Sequence, residues 1–301
     1  MTDADRPTPP PRTGPRDPGD AWVEAPDGRR YWGRFGAAGL LAVDPARGIL
    51  LQHRATWSHF GDTWGLPGGA RHAEESAVDA ALREAAEEAG VPGASVCPRM
   101  MSVFDIGVWS YSTLVVDVVE SFDPVISDPE SRELAWVPCD EVDGLPLHPG
   151  FAASWPALRG LLPVRPAVVV DAANVVGSVP DGWWRDRAGA AGRLLGRLAV
   201  WRSQGVPGDA LGLATGTWFP EVHVVLEGAA RAASDVAGLT VTRAPASGDD
   251  AIADVAVGLV DAGHPVTVVT SDRGLADRVR AAGGVVRSVS WLPRDGGVRD
   301  R

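Results

Sequence analysis

The sequence predicts an α/β protein of two domains, and three observations carry that prediction. The chain has 301 residues, more than one typical domain needs. Its first half sets short apolar strands around a glycine-rich stretch and an acidic helix. Its second half alternates strand and helix from Ala167 onward, the rhythm of a parallel sheet covered by helices. An apolar content of 45% is enough for real cores.

Residues 1–28 are rich in Pro, Asp, Arg and Gly, with Pro9-Pro10-Pro11 among them. Such a segment buries little and is expected to be a disordered tail in which Arg12 and Arg16 are solvated. The first domain is expected over residues 29–163. Residues 39–43 and 48–52 read as strands joined by a turn at Asp44-Pro45. Arg54 follows the second strand; it reads either as a phosphate contact or as a surface arginine. His59 reads as a loop histidine.

Residues 64–91, WGLPGGARHAEESAVDAALREAAEEAGV, organise this half. Pro67-Gly68-Gly69 predicts a tight irregular loop. Val78, Ala81, Leu82, Ala85 and Ala89 recur at helical spacing, and Gly90 follows where a left-handed cap is wanted. Glu84, Glu87 and Glu88 stand at i, i+3 and i+4 and so share a helix face. Like charges so placed destabilise an isolated helix. A cation is therefore expected among them, and Mg²⁺ or Mn²⁺ with oxygen ligands is the natural candidate.

The stretch resembles the Nudix box, G-x5-E-x7-R-E-U-x-E-E-x-G-U with U apolar. Gly69, Glu75, Arg83-Glu84, Ala85, Glu87-Glu88, Gly90 and Val91 fall on its positions, Ala85 being a small choice for U. The resemblance implies a Nudix α/β/α sandwich with a mixed sheet. It implies that Glu84, Glu87 and Glu88 bind the divalent metal, that Arg83 holds a glutamate, that Glu75 braces the loop and helix, and that Gly69 permits the loop. It implies hydrolysis of a nucleoside diphosphate linked to a further group, with the identity of the base left open among the carboxylates.

Beyond the box, residues 102–104 and 111–118 read as strands and residues 149–162 as a closing helix. Between them, Glu133-Leu134-Ala135-Trp136-Val137-Pro138 resembles the late E-x-x-W-x-P segment of the same family, which makes Glu133 either a further metal contact or a surface charge. The resemblance spans about residues 31–162.

Pro163-Val164-Arg165-Pro166 marks the domain boundary. The second domain is expected over residues 164–295, with a short tail at 296–301. Ala167-Val168-Val169-Val170 is an apolar run that ends in Asp171, the pattern of a buried parallel strand. A helix is expected over 184–203, strands over 221–226, 239–242, 266–270 and 285–286, and helices near Ala229 and over 249–262 and 273–282. Asp171, Asp249, Asp250 and Asp272 fall at carboxyl ends of strands or starts of helices, where a parallel sheet gathers a crevice. Asp249, Asp250 and Asp272 read equally as helix caps. The segments VVVDAANVVG, SGDDAI and VTVVTSDRGLADRV resemble the NYN domain of the PIN-like nucleases. That resemblance implies a three-layer fold on a parallel sheet, with an acidic site at Asp171, Asn174, Asp249, Asp250 and Asp272. A fourth carboxylate is open among Glu227, Asp254 and Asp277. Trp183-Trp184, with Arg185 and Arg187, reads as the start of a core-facing helix or as a clamp for single-stranded RNA.

The net charge of -11 is uneven: about 24 acidic and 13 basic residues precede residue 164, and about 15 of each follow. Neither half reads as a basic nucleic-acid clamp. No basic-then-apolar leader or membrane-spanning run is found, and the two cysteines, Cys97 and Cys139, suit a reducing cytoplasm. The expected activity is metal-dependent hydrolysis of a nucleotide, of the type that acts on oxidised purine triphosphates, with ADP-ribose or a nucleotide sugar as alternatives. RNA processing by both domains, or a non-catalytic nucleic-acid-binding second domain, are the competing readings.

Overall fold

The computed structural model describes residues 17–180 and 182–293. The chain divides into two compact units, Met1–Leu162 and Pro163–Arg301. Residues 1–16 of the expected first tail lie outside the described residues, as does the expected tail at 296–301. Residues 17–28 depart from the expectation of a tail. Strand β1 (Trp22–Glu24) pairs antiparallel with β2 (Arg30–Trp32). Trp22 packs edge-on against Trp32, its cross-strand partner, with ring centroids 5.2 Å apart. That aromatic pair supplies the cross-strand contact a hairpin needs, in a stretch whose composition argued against order.

Strand β3 (Ala37–Asp44) is the spine of the first unit and is buried at nearly every position. It runs antiparallel to β4 (Gly48–Arg54) and parallel to β8 (Ser110–Val118). Strands β5 (Trp64–Gly65) and β9 (Ser131–Val137) run antiparallel to β4, and β7 (Val96–Asp105) runs antiparallel to β8. The sheet is therefore mixed. The stretch expected to be an irregular loop forms strand β6 (Gly68–Ala70), antiparallel to the start of β3. Glycine makes this approach possible: a Cβ on Gly68 would stand 2.5 Å from the Ala38 carbonyl oxygen and the Gly39 Cα.

Helix α1 (Ala77–Ala89) is capped at both ends. The Ser76 hydroxyl accepts from the Asp79 N–H at 3.1 Å and donates to the Asp79 carboxylate at 2.7 Å. Gly90, at φ 63°, takes the left-handed cap and donates to the Ala85 and Ala86 carbonyls. The buried face is Ala80, Ala81, Ala85, Glu88 and Ala89, while Val78 and Leu82 are only half-buried. A face of small side chains lets α1 lie close on β3, β6 and β8, which moves the larger residues to its margins and carries Glu88 inward. Helix α2 (Pro149–Leu161) buries Phe151, Trp155 and Leu158. Its carboxyl end is held by the buried Arg99, which donates to the Leu162 carbonyl at 2.6 Å and pairs with Asp117. Among the described residues no helix is long and apolar enough to cross a membrane.

The second unit is built on a five-stranded parallel sheet. Its central strand, β10 (Ala167–Asp171), is buried at every position. The chain leaves β10 through α3 (Ala172–Gly177) and α4 (Arg187–Gln204), and β11 (Val206–Pro207) and β12 (Thr217–Trp218) form a short antiparallel pair. It then adds β13 (Glu221–Leu226) beside β10 and β14 (Thr240–Arg243) beside β13. After α5 (Gly248–Asp261) it returns to the other edge of β10 with β15 (Val266–Val269), α6 (Arg273–Ala281) and β16 (Val285–Arg287). The direction of growth reverses between β10 and β15, which is where open parallel sheets form their crevice. Core packing joins Val169, Val225 and Val268 of the sheet to Ile252 and Ala256 of α5 and to Leu275 and Val279 of α6.

The helix expected over 184–203 begins later. Trp183–Arg185 forms a 3-10 turn, and Asp186 then caps α4 by accepting from the Gly189 N–H at 2.8 Å. Trp184 is exposed, so it does not open a core-facing helix. Near Ala229 the structure has a 3-10 turn, Gly228–Ala232, instead of an α-helix. Helix α3 was not expected, and Asp171 accounts for it: the carboxylate that ends β10 caps the helix by accepting from the Asn174 N–H at 3.0 Å.

Candidate active site

Arg83 is the hub of the acidic helix. Its Nε and Nη2 donate to the two oxygens of Glu75 at 2.8 and 2.9 Å, a bidentate clamp. Its Nη1 donates to Glu84 at 2.8 Å and to Glu87 at 3.2 Å, and its Nη2 also reaches the Ala70 carbonyl at 3.1 Å. Glu75 further accepts from the His72 N–H at 2.9 Å. One side chain thus ties the strand β6, the connection that follows it and α1 into a single frame. The arginine hydrogen bonds, helped by the His72 amide, hold the Glu75 carboxyl below its usual range against the opposing effect of burial.

The three glutamates of the shared face end in different surroundings. The Glu87 side chain is 59% exposed, that of Glu84 is 14% exposed, and Glu88 as a residue is 7% exposed. Glu88 accepts from the Gly68 N–H at 2.8 Å, the contact that the strand conformation of Gly68 allows. Gly69 makes room in another way. A Cβ there would stand 2.7 Å from the Glu84 carboxylate. The role of Gly69 is therefore space for Glu84 beside a strand, since Gly69 is not among the glycines of positive φ.

Electrostatically, this frame is short of positive charge. Burial pushes Glu84 up to about 7, with Glu87 and Glu75 adding to it and Arg83 opposing it. Burial and the neighbouring Glu84 push Glu88 up to about 8, against the Gly68 amide and Arg54. A carboxyl raised this far marks anionic sites that the protein's own cations leave undercompensated. Among the described residues no three acidic, histidine or cysteine side chains converge into a ready-made cage. Arg83 Nη1 stands between Glu84 and Glu87. The donor set is entirely oxygen, graded from buried to exposed, and fits a hard divalent cation.

Two residues that the sequence did not single out belong beside this frame. Glu130 stands 3.9 Å from the Arg54 guanidinium and raises the Glu88 carboxyl. Tyr111 feels both Glu88 and Glu84; burial first, and then these charges, push its hydroxyl up. A Cβ on Gly39 would collide with the Tyr111 hydroxyl, so this glycine is also a space-maker. Arg54 stands at the end of β4 opposite Ser131, where the β4–β9 register shifts between His53 and Arg54. Glu133, open as a metal contact or a surface charge, lies inside β9 opposite His53 and is exposed, while Glu130, just before the strand, stands beside Arg54. His59 is a loop residue whose carbonyl accepts from Arg54 Nε at 3.2 Å.

In the second unit, Asp171 is buried where β10 ends. It accepts from the Asn174 side chain at 2.9 Å and from the Thr270 hydroxyl at 2.8 Å. Asp272 caps α6 through the Leu275 N–H at 2.7 Å. The Asp249 carboxyl is raised by burial and then by the charges of Asp272, Asp171 and Glu227. Of the three candidates for a fourth acid, it is Glu227 that stands here, accepting from the Gly248 N–H at 2.8 Å. The Asp250 carboxylate is engaged by Arg278 at 2.9 Å.

A family model described as the NUDIX domain matches residues 33–159. The Putative 8-oxo-dGTP diphosphatase 3 of Mycobacterium tuberculosis is 49% identical over 154 residues, covering 48% of this chain and 70% of that protein. A nucleoside triphosphate pyrophosphatase/Nudix hydrolase fusion protein of Bifidobacterium longum is 38% identical over 161 residues, 51% of this chain and 33% of the relative. Among solved structures, a Nudix hydrolase from M. smegmatis, RenU, is 48% identical, with 48% of this chain and 94% of that one covered and a TM-score of 0.44.

Proposed function

The chain belongs to the Nudix family, and on that premise we propose that its first domain, expected over residues 29–163, cleaves a phosphoanhydride bond of a nucleoside di- or triphosphate. An oxidised purine nucleoside triphosphate is the substrate class favoured by the printed name of the M. tuberculosis relative. The observation that carries the reading is the pairing of an Arg83-locked frame, Glu75, Glu84 and Glu87, with the buried Glu88 on the Gly68 amide. Glu84, Glu87 and Glu88 would hold Mg²⁺ or Mn²⁺, which when bound neutralises phosphate charge and activates a water.

The chain's own residues do the positioning. Gly68 fixes the direction of the Glu88 carboxylate, and Gly69 leaves Glu84 room to move. Arg83 keeps Glu84 and Glu87 on one side of the helix. Arg54, steadied near Glu130 and by the His59 carbonyl, offers a guanidinium to a phosphate. The test is a panel of 8-oxo-dGTP, dGTP, ADP-ribose and a nucleotide sugar, assayed with Mg²⁺ or Mn²⁺ and with excess chelator. Phosphate or pyrophosphate release from the oxidised triphosphate, lost on chelation, supports the reading. Preference for ADP-ribose or the sugar moves the substrate class, and no hydrolysis of any of them overturns it.

The second unit, residues 164–295, we read as an NYN, PIN-like nuclease domain acting on single-stranded RNA, with its site at Asp171, Asn174, Asp249, Asp250 and Asp272. The charge repulsion that Asp272, Asp171 and Glu227 exert on Asp249, together with the burial of Asp171 at the end of β10, supports this reading. Cleavage by the full chain that Asp171→Asn abolishes supports nuclease chemistry. RNA binding without cleavage identifies a non-catalytic domain, and pyrophosphate release from RNA 5′ ends joins the two units in one process. A cytoplasmic location suits two cysteines, Cys97 and Cys139, that form no disulfide.

A further inference from the structure

The connection from β4 to β5 carries a feature that hydrolysis of phosphates does not need. Phe60 has φ 54°, in the left-handed region that bulky residues almost never enter. In that conformation Phe60 stays 45% exposed. The conformation is imposed from both sides. The Gly61 N–H donates to the Ser58 carbonyl at 2.9 Å, and the Thr63 hydroxyl donates to the Phe60 carbonyl at 2.6 Å. Gly61 is packed so closely that a Cβ would stand 2.5 Å from the Ala55 and Thr56 carbonyl oxygens. Strained, well-held residues of this kind collect where a side chain has been aimed for use.

The ring is aimed into a group of aromatic neighbours. His59 lies 4.2 Å from it and His148 4.9 Å, both edge-on, and Trp22 lies 5.3 Å from His59. The same loop is tied to Arg54. Arg54 Nε donates to the His59 carbonyl, its N–H to the Thr63 carbonyl, and its carbonyl accepts from the Asp62 N–H. Arg54 is also the charge that faces Glu88 and Glu130. Arg54 therefore has the acidic frame on one side and the aromatic loop on the other. A substrate with its phosphates on Arg54 and the glutamates would bring its next rigid group to Phe60.

We propose that Phe60, backed by His59 and His148, is the stacking face for the purine base of the nucleotide and sets the enzyme's requirement for a base. An exposed aromatic face recognises any nucleobase through its π surface. The His148 Nδ1 accepts from the Gly150 N–H at 3.2 Å, so in the neutral ring Nε2 carries the proton and offers a donor to a base edge. This inference rests on the nucleotide-hydrolase reading of the same site.

The test is steady-state kinetics of the full chain on a purine nucleoside triphosphate and on ribose 5-triphosphate, which has no base. For Phe60→Ala the KM for the nucleotide should rise roughly tenfold, the scale of one lost base stack, with kcat little changed. Turnover of ribose triphosphate should be unaffected, and Phe60→Trp should restore the nucleotide KM. Phe60→Gly should raise the melting temperature by relieving the positive φ and should also raise the nucleotide KM. Phe60→Leu, which keeps the apolar bulk, replaces the alanine variant if that one fails to fold. Equal effects on both substrates, an unchanged nucleotide KM, or a wild type that hydrolyses ribose triphosphate as well as the nucleotide would each overturn the base subsite. A wild type that hydrolyses neither overturns the nucleotide-hydrolase reading itself, and the subsite with it.

Discussion

Glu88→Gln should stabilise the metal-free protein and cripple the enzyme. The magnitude follows from burial. Glu88 is 7% exposed, and its carboxyl is pushed from 4.5 up to about 8, by burial first and then by Glu84. A folded value above the unfolded one means that the side chain's contribution to stability is full below about pH 4.5 and is lost as pH rises towards about 8. At pH 7 the loss is on the order of 3 kcal/mol, at about 1.4 kcal/mol per pH unit above the unfolded value. Glutamine keeps an acceptor for the Gly68 N–H and carries no charge to bury. Glu84 is raised too, so the pair titrates together and relief of one relieves the other. In excess EDTA the variant should melt roughly 6–12 °C above wild type at pH 7, and level with it near pH 4. With Mg²⁺ present, its kcat/KM should fall by about 10²–10³, the equivalent of losing roughly 3–4 kcal/mol of transition-state stabilisation. Thermal melts across pH, with and without chelator, check the first statement, and initial rates check the second. Superimposable melting curves for the two proteins in EDTA would refute the account of a carboxylate strained by burial.

Three further outcomes are expected. Gly69→Ala places a methyl 2.7 Å from the Glu84 carboxylate, so activity should drop by about tenfold or more while the far-UV circular dichroism is kept. His148 is held down to about 4, by burial first and then by Arg54 and His59, and its Nδ1 caps α2. A depressed histidine contributes stability that is present above the unfolded value of 6.5 and lost as pH falls towards about 4. Melts of wild type and His148→Gln should run nearly level above pH 6.5, where both side chains are neutral, and diverge as pH falls towards about 4, the wild type melting lower because only it must bury a charge. Asp171→Asn should leave nucleotide hydrolysis at the wild-type rate and remove any RNA cleavage, read on a labelled single strand with Mn²⁺.

Local pattern was legible where a single element decides the geometry. Helix α1, its Gly90 cap and the shared face of its glutamates follow from the spacing of residues 75–91, though their grading from buried to exposed does not, and the parallel strands of the second unit follow from apolar runs such as Ala167–Asp171. What escaped the sequence depends on contacts between distant segments. Gly68-Gly69 reads as a loop by propensity, yet it is a strand because β3 comes within a distance that only glycine tolerates. Glu130 and Tyr111 acquire their place from strand pairing with β4 and β3, which no local spacing reveals. Glu133, read as a metal contact or a surface charge, stands exposed in β9 opposite His53, a place that the β4–β9 pairing sets and no local spacing reveals. Trp22 shows the same limit in the opposite sense, since one tryptophan pair orders a segment whose composition reads as a tail. That Glu227 lies beside the start of α5, accepting from the Gly248 N–H, likewise depends on where β13 ends and is not written in local spacing.

The central claim is that the acidic helix performs metal-dependent hydrolysis of a nucleotide phosphoanhydride. The direct measurement is the rate of 8-oxo-dGTP hydrolysis with Mg²⁺ by wild type, Glu87→Gln and Asp79→Asn, repeated in excess EDTA. Asp79 lies in the first turn of the same helix, where its N–H and carboxylate engage the Ser76 hydroxyl, outside the hydrogen bonds that Arg83 makes. The account predicts near-wild-type turnover for Asp79→Asn, a fall of about 10²–10³ for Glu87→Gln, and no turnover for any protein in EDTA. Equal rates for all three proteins, or full activity in EDTA, would contradict it.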